Sequence, residues 1–183
     1  MSRAYIPAAP ADDLSARRSR HDRIADGSVI SSELSAFMQS GIDVSLATVD
    51  AGLHPIAGIA LACRIDPTGT VGVLLRKPAN LALLDAMAQG GPVAVTFTRP
   101  RDHRSIQIKA RSARITSVRA DDPPEIARQC ARMRDELIGA GYSPAFSAAF
   151  VAYEPKEIVA IELSPDRIFV QTPGPGAGSE LPT

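Results

Sequence analysis

The fold is decided by residues 42–75, IDVSLATVDAGLHPIAGIALACRIDPTGTVGVLL, in which three strand-like runs are separated by two turn sequences. Apolar and polar residues alternate in the first run, which is typical of a strand with one buried face. The turn sequences, Asp50-Ala51-Gly52 and Asp66-Pro67-Thr68-Gly69, contain the residue types that tight turns prefer. Because both turns are short, the pattern predicts an antiparallel meander. Its strands cover residues 42–48, 54–65 and 70–75.

Three helices and three more strands are predicted around this meander. The helices begin near Ser31, Pro78 and Asp121, where capping residues or prolines favour a helix start. The remaining strands are expected over 93–98, 104–118 and 157–163. Short helices interspersed among six mostly antiparallel strands indicate the α+β class, and six short strands favour a closed barrel over an open sheet.

The helices are expected to bury one face each. The apolar positions that share a face in the second helix are Leu81, Leu84 and Ala88. In the third helix the corresponding stripe is Ile126, Cys130, Met133 and Leu137, at helical spacing. Asp121 and Asp122, followed by two prolines, predict a carboxylate cap at the start of that helix.

Composition excludes several classes of function. The 183 residues include 20 basic and 20 acidic side chains, and this zero net charge argues against a general nucleic-acid or acidic-membrane binder. No apolar run reaches the roughly 18 residues of a membrane span. Cys63 and Cys130 have no metal-site spacing, so they are expected to be reduced thiols in a cytoplasmic protein. The chain is divided into an N-terminal arm (1–30), one domain (31–170) and a Pro/Gly-rich tail (171–183).

No catalytic template is present in the sequence. It contains no GxGxxG after a strand, no phosphate-binding P-loop and no GxSxG. The three histidines lie at no metal-ligand spacing, so no metal site is expected. Catalytic residues therefore remain unassigned.

Two basic segments are the candidates for binding. Arg76 and Lys77 fall between the third strand and the helix near Pro78, where free N–H groups and two cations favour a phosphate. Residues 99–109, RPRDHRSIQIK, place Ser105, Gln107 and Lys109 on one strand face, where they suit the polar edge of a planar heterocycle; a simply solvated outer face is the alternative.

Five segments between residues 33 and 170 carry a resemblance to a known family: Ser45-Leu-Ala-Thr-Val-Asp-Ala-Gly52, Leu74-Leu-Arg-Lys77, Pro92-Val-Ala-Val-Thr-Phe97, Ile106-Gln-Ile-Lys-Ala-Arg111 and Pro165-Asp-Arg-Ile-Phe169. Their succession resembles the pyridoxamine 5′-phosphate oxidase-like, FMN-binding split-barrel family. The resemblance implies a six-stranded antiparallel split β-barrel and a homodimer with two flavin sites at the subunit interface. Arg76 and Lys77 match the family's phosphate-binding positions. Arg104, Ser105 and Gln107 would lie near the flavin or its phosphate.

The resemblance also defines what to expect of the activity. The third strand lacks the family oxidases' fuller set of polar contacts, and their C-terminal Arg-Leu-x-Pro-type ending is missing. We therefore expect a flavin-dependent oxidoreductase of unassigned substrate rather than a pyridoxamine phosphate oxidase. Lys109 or Arg111 would stabilise a reduced, anionic flavin. Three alternatives remain: a deazaflavin in place of FMN, a non-catalytic flavin or pyridoxal-phosphate binding module, and a haem-binding barrel that uses His54 or His103 as ligand.

Overall fold

The computed structural model describes residues 30–181, which form an α+β fold with antiparallel strands, as predicted. The predicted N-terminal arm lies outside the described residues except for Ile30, which is buried. No helix in the described range is both long and apolar enough to cross a membrane.

Four α-helices and ten strands make up this part of the chain. The helices are α1 (Ser32–Met38), α2 (Leu81–Ala88), α3 (Asp122–Gly139) and α4 (Pro144–Phe150). The strands of the first half are β1 (Asp43–Val49), β2 (Pro55–Ala60), β3 (Ala62–Ile65), β4 (Val71–Arg76) and β5 (Val93–Thr98). Those of the second half are β6 (Ser105–Ala110), β7 (Arg114–Thr116), β8 (Ile158–Leu163), β9 (Arg167–Val170) and β10 (Glu180–Leu181).

The strands form two antiparallel sheets, and some segments of the chain pass from one sheet into the other. Sheet A has the order β10-β9-β6-β5-β1-β2, and sheet B has the order β3-β4-β8-β7. The predicted strand over 54–65 bends at Leu61 and continues from β2 in sheet A into β3 in sheet B. The predicted strand over 104–118 likewise becomes β6 and β7. The predicted strand over 157–163 is β8, and the chain then continues into β9 in sheet A, a strand that the sequence did not predict. The six predicted strands are thus present, and in three places the chain passes from one sheet into the other.

One apolar core fills the space between the two sheets. Sheet A contributes alternate residues such as Val44, Val95 and Ile108, and sheet B contributes residues such as Val73 and Ile161, all of which are buried in one cluster. The stripe predicted for the third helix is confirmed, because Ile126, Cys130, Met133 and Leu137 are all buried in α3. Alternation along the strands therefore directs one face inward and leaves the other on the outside of the barrel.

The helices differ from prediction in three respects. Residues 78–80 form a 3-10 turn before α2, and Leu83, Leu84, Ala86 and Met87 are buried while Leu81 and Ala88 are exposed. A 3-10 turn has three residues instead of 3.6, so it shifts the phase of the following helix. The predicted cap at Asp121 is wrong, since its side chain makes no capping bond. The third difference is α4, which the sequence did not predict.

Asp122 instead belongs to a buried charge cluster. Arg64 in β3 donates from Nη1 to both Asp122 carboxylate oxygens (2.9 and 2.8 Å) and from Nη2 to Glu162 Oε1 (2.7 Å). Asp122 is 1% exposed and Arg64 is 9% exposed. Arg119 Nη2 also donates a hydrogen bond to Glu162 Oε1 (2.5 Å). Hydrogen bonding to these guanidinium groups, that of Arg64 above all, lowers the pKa of Glu162.

The tail is irregular where the sequence predicts it to be. Residues 171–178 contain turns and bends but no helix or strand. The chain then pairs with β9 through the short strand β10, in which Glu180 lies opposite Phe169. Residues 180 and 181 of the predicted tail are therefore attached to sheet A.

Candidate functional site

Arg76 and Lys77, the basic segment, lie where β4 leaves sheet B. Arg76 Nη1 donates to the carbonyl oxygens of Phe150 (3.1 Å) and Ala152 (2.8 Å) at the end of α4. Its Nε is buried and has no hydrogen-bond partner in the described structure. Lys77 precedes the 3-10 turn, and its side chain is exposed. The Arg76 side chain therefore has a structural role at the end of α4 besides any role in binding an anion. The exposed Lys77 side chain can contact an anion without such a structural role.

A buried asparagine connects the basic segment to sheet A. Asn80 is 4% exposed, and its Nδ2 donates to the carbonyl oxygens of Arg76 (2.8 Å) and Ile59 (3.2 Å). Its Oδ1 is buried and has no partner in the described structure. This side chain packs over Gly58, where an added Cβ would overlap the Asn80 amide. The β4–α2 connection is therefore fixed against the edge strand of sheet A.

From that edge, a row of paired residues crosses the outer face of sheet A. Ile59 pairs with Ser45, Ser45 with Thr96, and Thr96 with Gln107. We call Ser45, Thr96 and Gln107 the polar row. With neighbouring strands about 4.8 Å apart, Gln107 lies roughly 14 Å from Ile59. The basic segment thus lies beside the Ile59 edge, and the polar row extends from that edge across the sheet to Gln107.

The predicted face of β6 is confirmed. Gln107 Nε2 donates to Thr96 Oγ1 (3.0 Å), and Ser105 Oγ donates to Thr98 Oγ1 (3.0 Å), so both side chains contact β5. Lys109 Nζ lies 4.8 Å from the centroid of the Phe169 ring. Ser105, Gln107 and Lys109 therefore share the outer face of the sheet.

Arg104 is placed differently from its neighbours on β6. Its guanidinium lies over the Phe37 ring, 4.4 Å from the centroid, and contacts Glu33 at 3.1 Å. Both partners belong to α1. The structure does not bring Arg104 together with the polar row, so its predicted role in binding has no geometric support from this chain.

Asp43 is the carboxylate beside the polar row on β1. Its burial raises the pKa of its carboxyl group, and a hydrogen bond from Ser45 Oγ (2.8 Å) opposes that change. A carboxyl group supplies no positive charge for a phosphate, whereas the basic segment supplies two cations. The phosphate of a ligand is therefore better accommodated at the basic segment than near Asp43.

The two candidate haem ligands, His54 and His103, are both exposed. The His54 side chain is 80% exposed in the β1–β2 turn, where its Nδ1 lies 3.3 Å from Asp50 Oδ2. His103 occupies a turn with a φ of 56°. Within residues 30–181, no group of three or more His, Cys, Asp or Glu side chains could hold a metal ion.

A pocket of about 380 Å³ lies elsewhere, where the strands bend between the sheets. It is lined by residues that include Arg111, Arg114, Glu162 and Asp166. Arg111 lies 3.8 Å from Asp166, and Arg114 lies 3.3 Å from Glu162. The arginines that line this pocket are therefore balanced by carboxylates. Arg111, a candidate for stabilising a flavin anion, belongs to this pocket and not to the polar row.

Sequence reasoning missed Asn80, Thr96 and the carbonyl oxygens that Arg76 binds. Asn80 had a detectable signal, because an asparagine after Lys-Pro-Ala at a helix start is a typical capping residue. Thr96 could have been found from the alternation of apolar and polar residues along its strand. The partners of Arg76 are more than 70 positions away in sequence, and no local pattern indicates them.

Comparison with known proteins gives structural matches only. No family model and no curated protein matches the sequence. A presumed pyridoxamine 5′-phosphate oxidase from Lactobacillus delbrueckii is 15% identical, with a TM-score of 0.48 and coverage of 79% of this chain and 98% of that one. HutZ, described as the haem storage protein of Vibrio cholerae, is 17% identical, with a TM-score of 0.44 and coverage of 75% and 92%. An F420 reductase is 14% identical, with a TM-score of 0.45 and coverage of 79% and 98%.

The first of these proteins carries the name of the family that the sequence resembles. Because the identities are 14–17% and the TM-scores are below 0.5, the matches carry no inference about what this chain binds or catalyses.

Proposed function

We propose that this chain is an FMN-binding split-barrel protein that acts as a homodimer and as a flavin-dependent oxidoreductase. The observation that carries the proposal is the connection made by Asn80, which fixes the basic segment to the edge of the polar row. A cationic group beside the Ile59 edge and hydrogen-bonding side chains that extend about 14 Å across the sheet match a ligand that has a phosphate at one end and a polar ring at the other.

The residues present fit FMN in chemical type. The unpartnered Nε of Arg76 and the exposed ammonium of Lys77 are donors of the kind that a phosphate requires. The second Nε2 proton of Gln107 can be donated to a ring carbonyl, and its Oε1, which also accepts from Gln171, has a further lone pair for a ring N–H. Ser45 Oγ, which donates its proton to Asp43, can accept from a ring N–H.

The bound flavin would supply the redox chemistry. This chain's own residues would orient it: Lys77 holds the phosphate, and the polar row aligns the ring edge. Lys109 provides a positive charge on the same face, which favours a negatively charged ring over a neutral one. No side chain of the described face is assigned as a proton donor.

The absorbance spectrum of the purified protein is the first test. We expect bands of oxidised flavin, either as purified or after FMN is added. A Soret band would support the haem-binding alternative, and a protein that takes up no FMN would refute the proposal. Binding of FMN without turnover of any reductant would support the non-catalytic alternative.

The phosphate contact is tested with Lys77→Ala. Since only FMN carries a phosphate, we expect this variant to lose about tenfold or more in FMN affinity while its riboflavin affinity stays unchanged. Lys156→Ala is the matched control, because it removes another exposed lysine from a neighbouring 3-10 turn. Arg76→Ala is less informative, since it also releases the end of α4. Equal losses for FMN and riboflavin would contradict the assignment.

A further inference from the structure

Helix α4 presents its apolar side to solvent. Ser147 is fully buried, and its hydroxyl donates to the Ser143 carbonyl oxygen at 2.9 Å. Phe146 is 47% exposed, and Tyr142, just before the helix, is 51% exposed. Their rings stack with centroids 5.1 Å apart, and the Phe150 ring follows 6.1 Å from that of Phe146. A ladder of three aromatic rings, of which two are exposed and that of Phe150 is half-buried, indicates a surface that binds another molecule.

This surface carries no charge. Residues 137–153 contain no Asp, Glu, Lys or Arg. Arg76 fixes the helix in place through the Phe150 and Ala152 carbonyl oxygens, so the exposed rings are held by a rigid support. An uncharged aromatic surface pairs best with another uncharged surface, because a charge placed against it would lose its hydration without gaining a partner.

The same chain has a second uncharged surface, on the outer side of sheet A. Apart from Asp43, the outward residues of β2, β1 and the first part of β5 are small or neutral and are half-exposed or exposed. The part of this side that borders the polar row, which we call the sheet face, consists of Ala47, Val49, Pro55, Ala57 and Ala94. Ala57, Ala47 and Ala94 pair directly across the three strands and form a shallow strip between larger neighbours. Bulky rings on α4 and a strip of alanines on the sheet are complementary.

The area of α4 requires a second surface. A seven-residue helix is only about 10 Å long, and one side of it is far smaller than the roughly 800 Å² that each partner buries in a stable interface. A two-fold dimer in which α4 of each chain meets the sheet face of the other makes this contact twice and closes on itself.

We propose that α4 of one chain packs its aromatic rings on the sheet face of a second copy, beside that copy's polar row. This inference rests on the homodimer of the proposed function and identifies the surfaces that form it. The partner's Phe146 then lies next to Ser45 and Thr96, so the second copy supplies one side of the flavin site.

The test is the molar mass of the full chain in solution, measured by light scattering or sedimentation. The wild type is expected at twice 19.3 kDa. Phe146→Glu and Ala57→Lys each place a charge in the contact, and each is expected to raise the dimer dissociation constant on the order of 1,000-fold, because every dimer loses two such contacts of about 30-fold each. Ile115→Glu is the matched control: Ile115 is 41% exposed, in β7, outside both surfaces. It should remain dimeric.

The double variant Phe146→Glu/Ala57→Lys tests the pairing itself. If α4 meets the sheet face, each new glutamate lies against a new lysine of the partner, and the dimer re-forms at least in part. This rescue also shows that neither substitution prevents folding, which circular dichroism of the single variants checks independently. A double variant that stays monomeric would refute the helix-to-sheet pairing. A monomeric wild type, a dimeric Phe146→Glu or a dissociated Ile115→Glu would each overturn the proposal.

Flavin titration of the wild type separates this inference from the proposed function. A wild-type dimer that follows the expected variant pattern but takes up no FMN leaves the interface standing and refutes flavin binding. A monomer that binds FMN refutes the interface and leaves flavin binding standing.

Discussion

Replacing Arg64 by methionine should destabilise the protein more than any exposed ion-pair substitution. The side chain donates three hydrogen bonds to Asp122 and Glu162, and Asp122 is 1% exposed. Methionine preserves most of the length of the side chain but leaves the Asp122 carboxylate buried without its guanidinium. Removal of one partner from a buried pair costs about 3–5 kcal/mol of unfolding free energy. At about 2–4 °C per kcal/mol for a chain of this size, the melting temperature should fall by about 6–20 °C.

Urea unfolding at neutral pH measures this loss, and a double-mutant cycle assigns it. Arg134→Met is the control, because the Arg134–Asp135 pair is 48% and 64% exposed and should contribute less than about 1 kcal/mol. Asp122→Asn in the Arg64→Met background removes the stranded charge but keeps an oxygen that can accept from the Arg119 N–H, as Asp122 does at 2.7 Å. We expect it to restore about 1–2 kcal/mol there, while it destabilises the wild type. If Arg64→Met costs no more than Arg134→Met, or if Asp122→Asn acts equally in both backgrounds, the reasoning is wrong.

Two further predictions concern stability. Burial raises the pKa of Asp43, so the folded state binds the carboxyl proton more tightly than the unfolded state does. The free energy of unfolding therefore falls as the pH rises above about 4, the pKa of this carboxyl group in the unfolded chain. Asp43→Asn should therefore stabilise the protein at pH 7 and have little effect at pH 3 in urea unfolding; an equal effect at both would contradict the sign. Gly41 has a φ of 81°, and an added Cβ would lie 2.6 Å from a carbonyl oxygen of α3, whereas a Cβ at Gly139 meets nothing within 4 Å. Thermal unfolding should show that Gly41→Ala costs about 2–4 kcal/mol and that Gly139→Ala is neutral or stabilising by up to about 1 kcal/mol, and a reversed order would refute the geometry.

The strands and α3 were predictable because their apolar periodicity matches their burial. The alternation in residues 42–48 and the stripe from Ile126 to Leu137 both report which side faces the core. The buried face of α2 was not predictable, since the 3-10 turn at 78–80 changes the helix phase without a distinct signal. Helix α4 was missed because PAFSAAF buries a serine and exposes phenylalanine, which reverses the usual pattern.

The candidate site was predictable in its residues but not in its connections. Arg76 and Lys77 follow a strand, and Ser105, Gln107 and Lys109 alternate along another, so local spacing alone identified both groups. Their relation depends on Asn80 and on strand pairing between segments far apart in sequence. Arg104 shows the limit of local spacing: it neighbours Ser105 in sequence, yet the packing of α1 directs its guanidinium elsewhere.

The three places at which the chain passes from one sheet into the other also determine how the molecule can move. A chain segment hydrogen-bonded in one sheet and then in the other prevents the two layers from sliding or opening independently. Access to a bound ligand must therefore depend on segments that lack this double attachment, such as the connection at 99–104 and residues 171–179. The barrel itself is expected to stay rigid, and only the segments at its borders can move to admit or release a ligand.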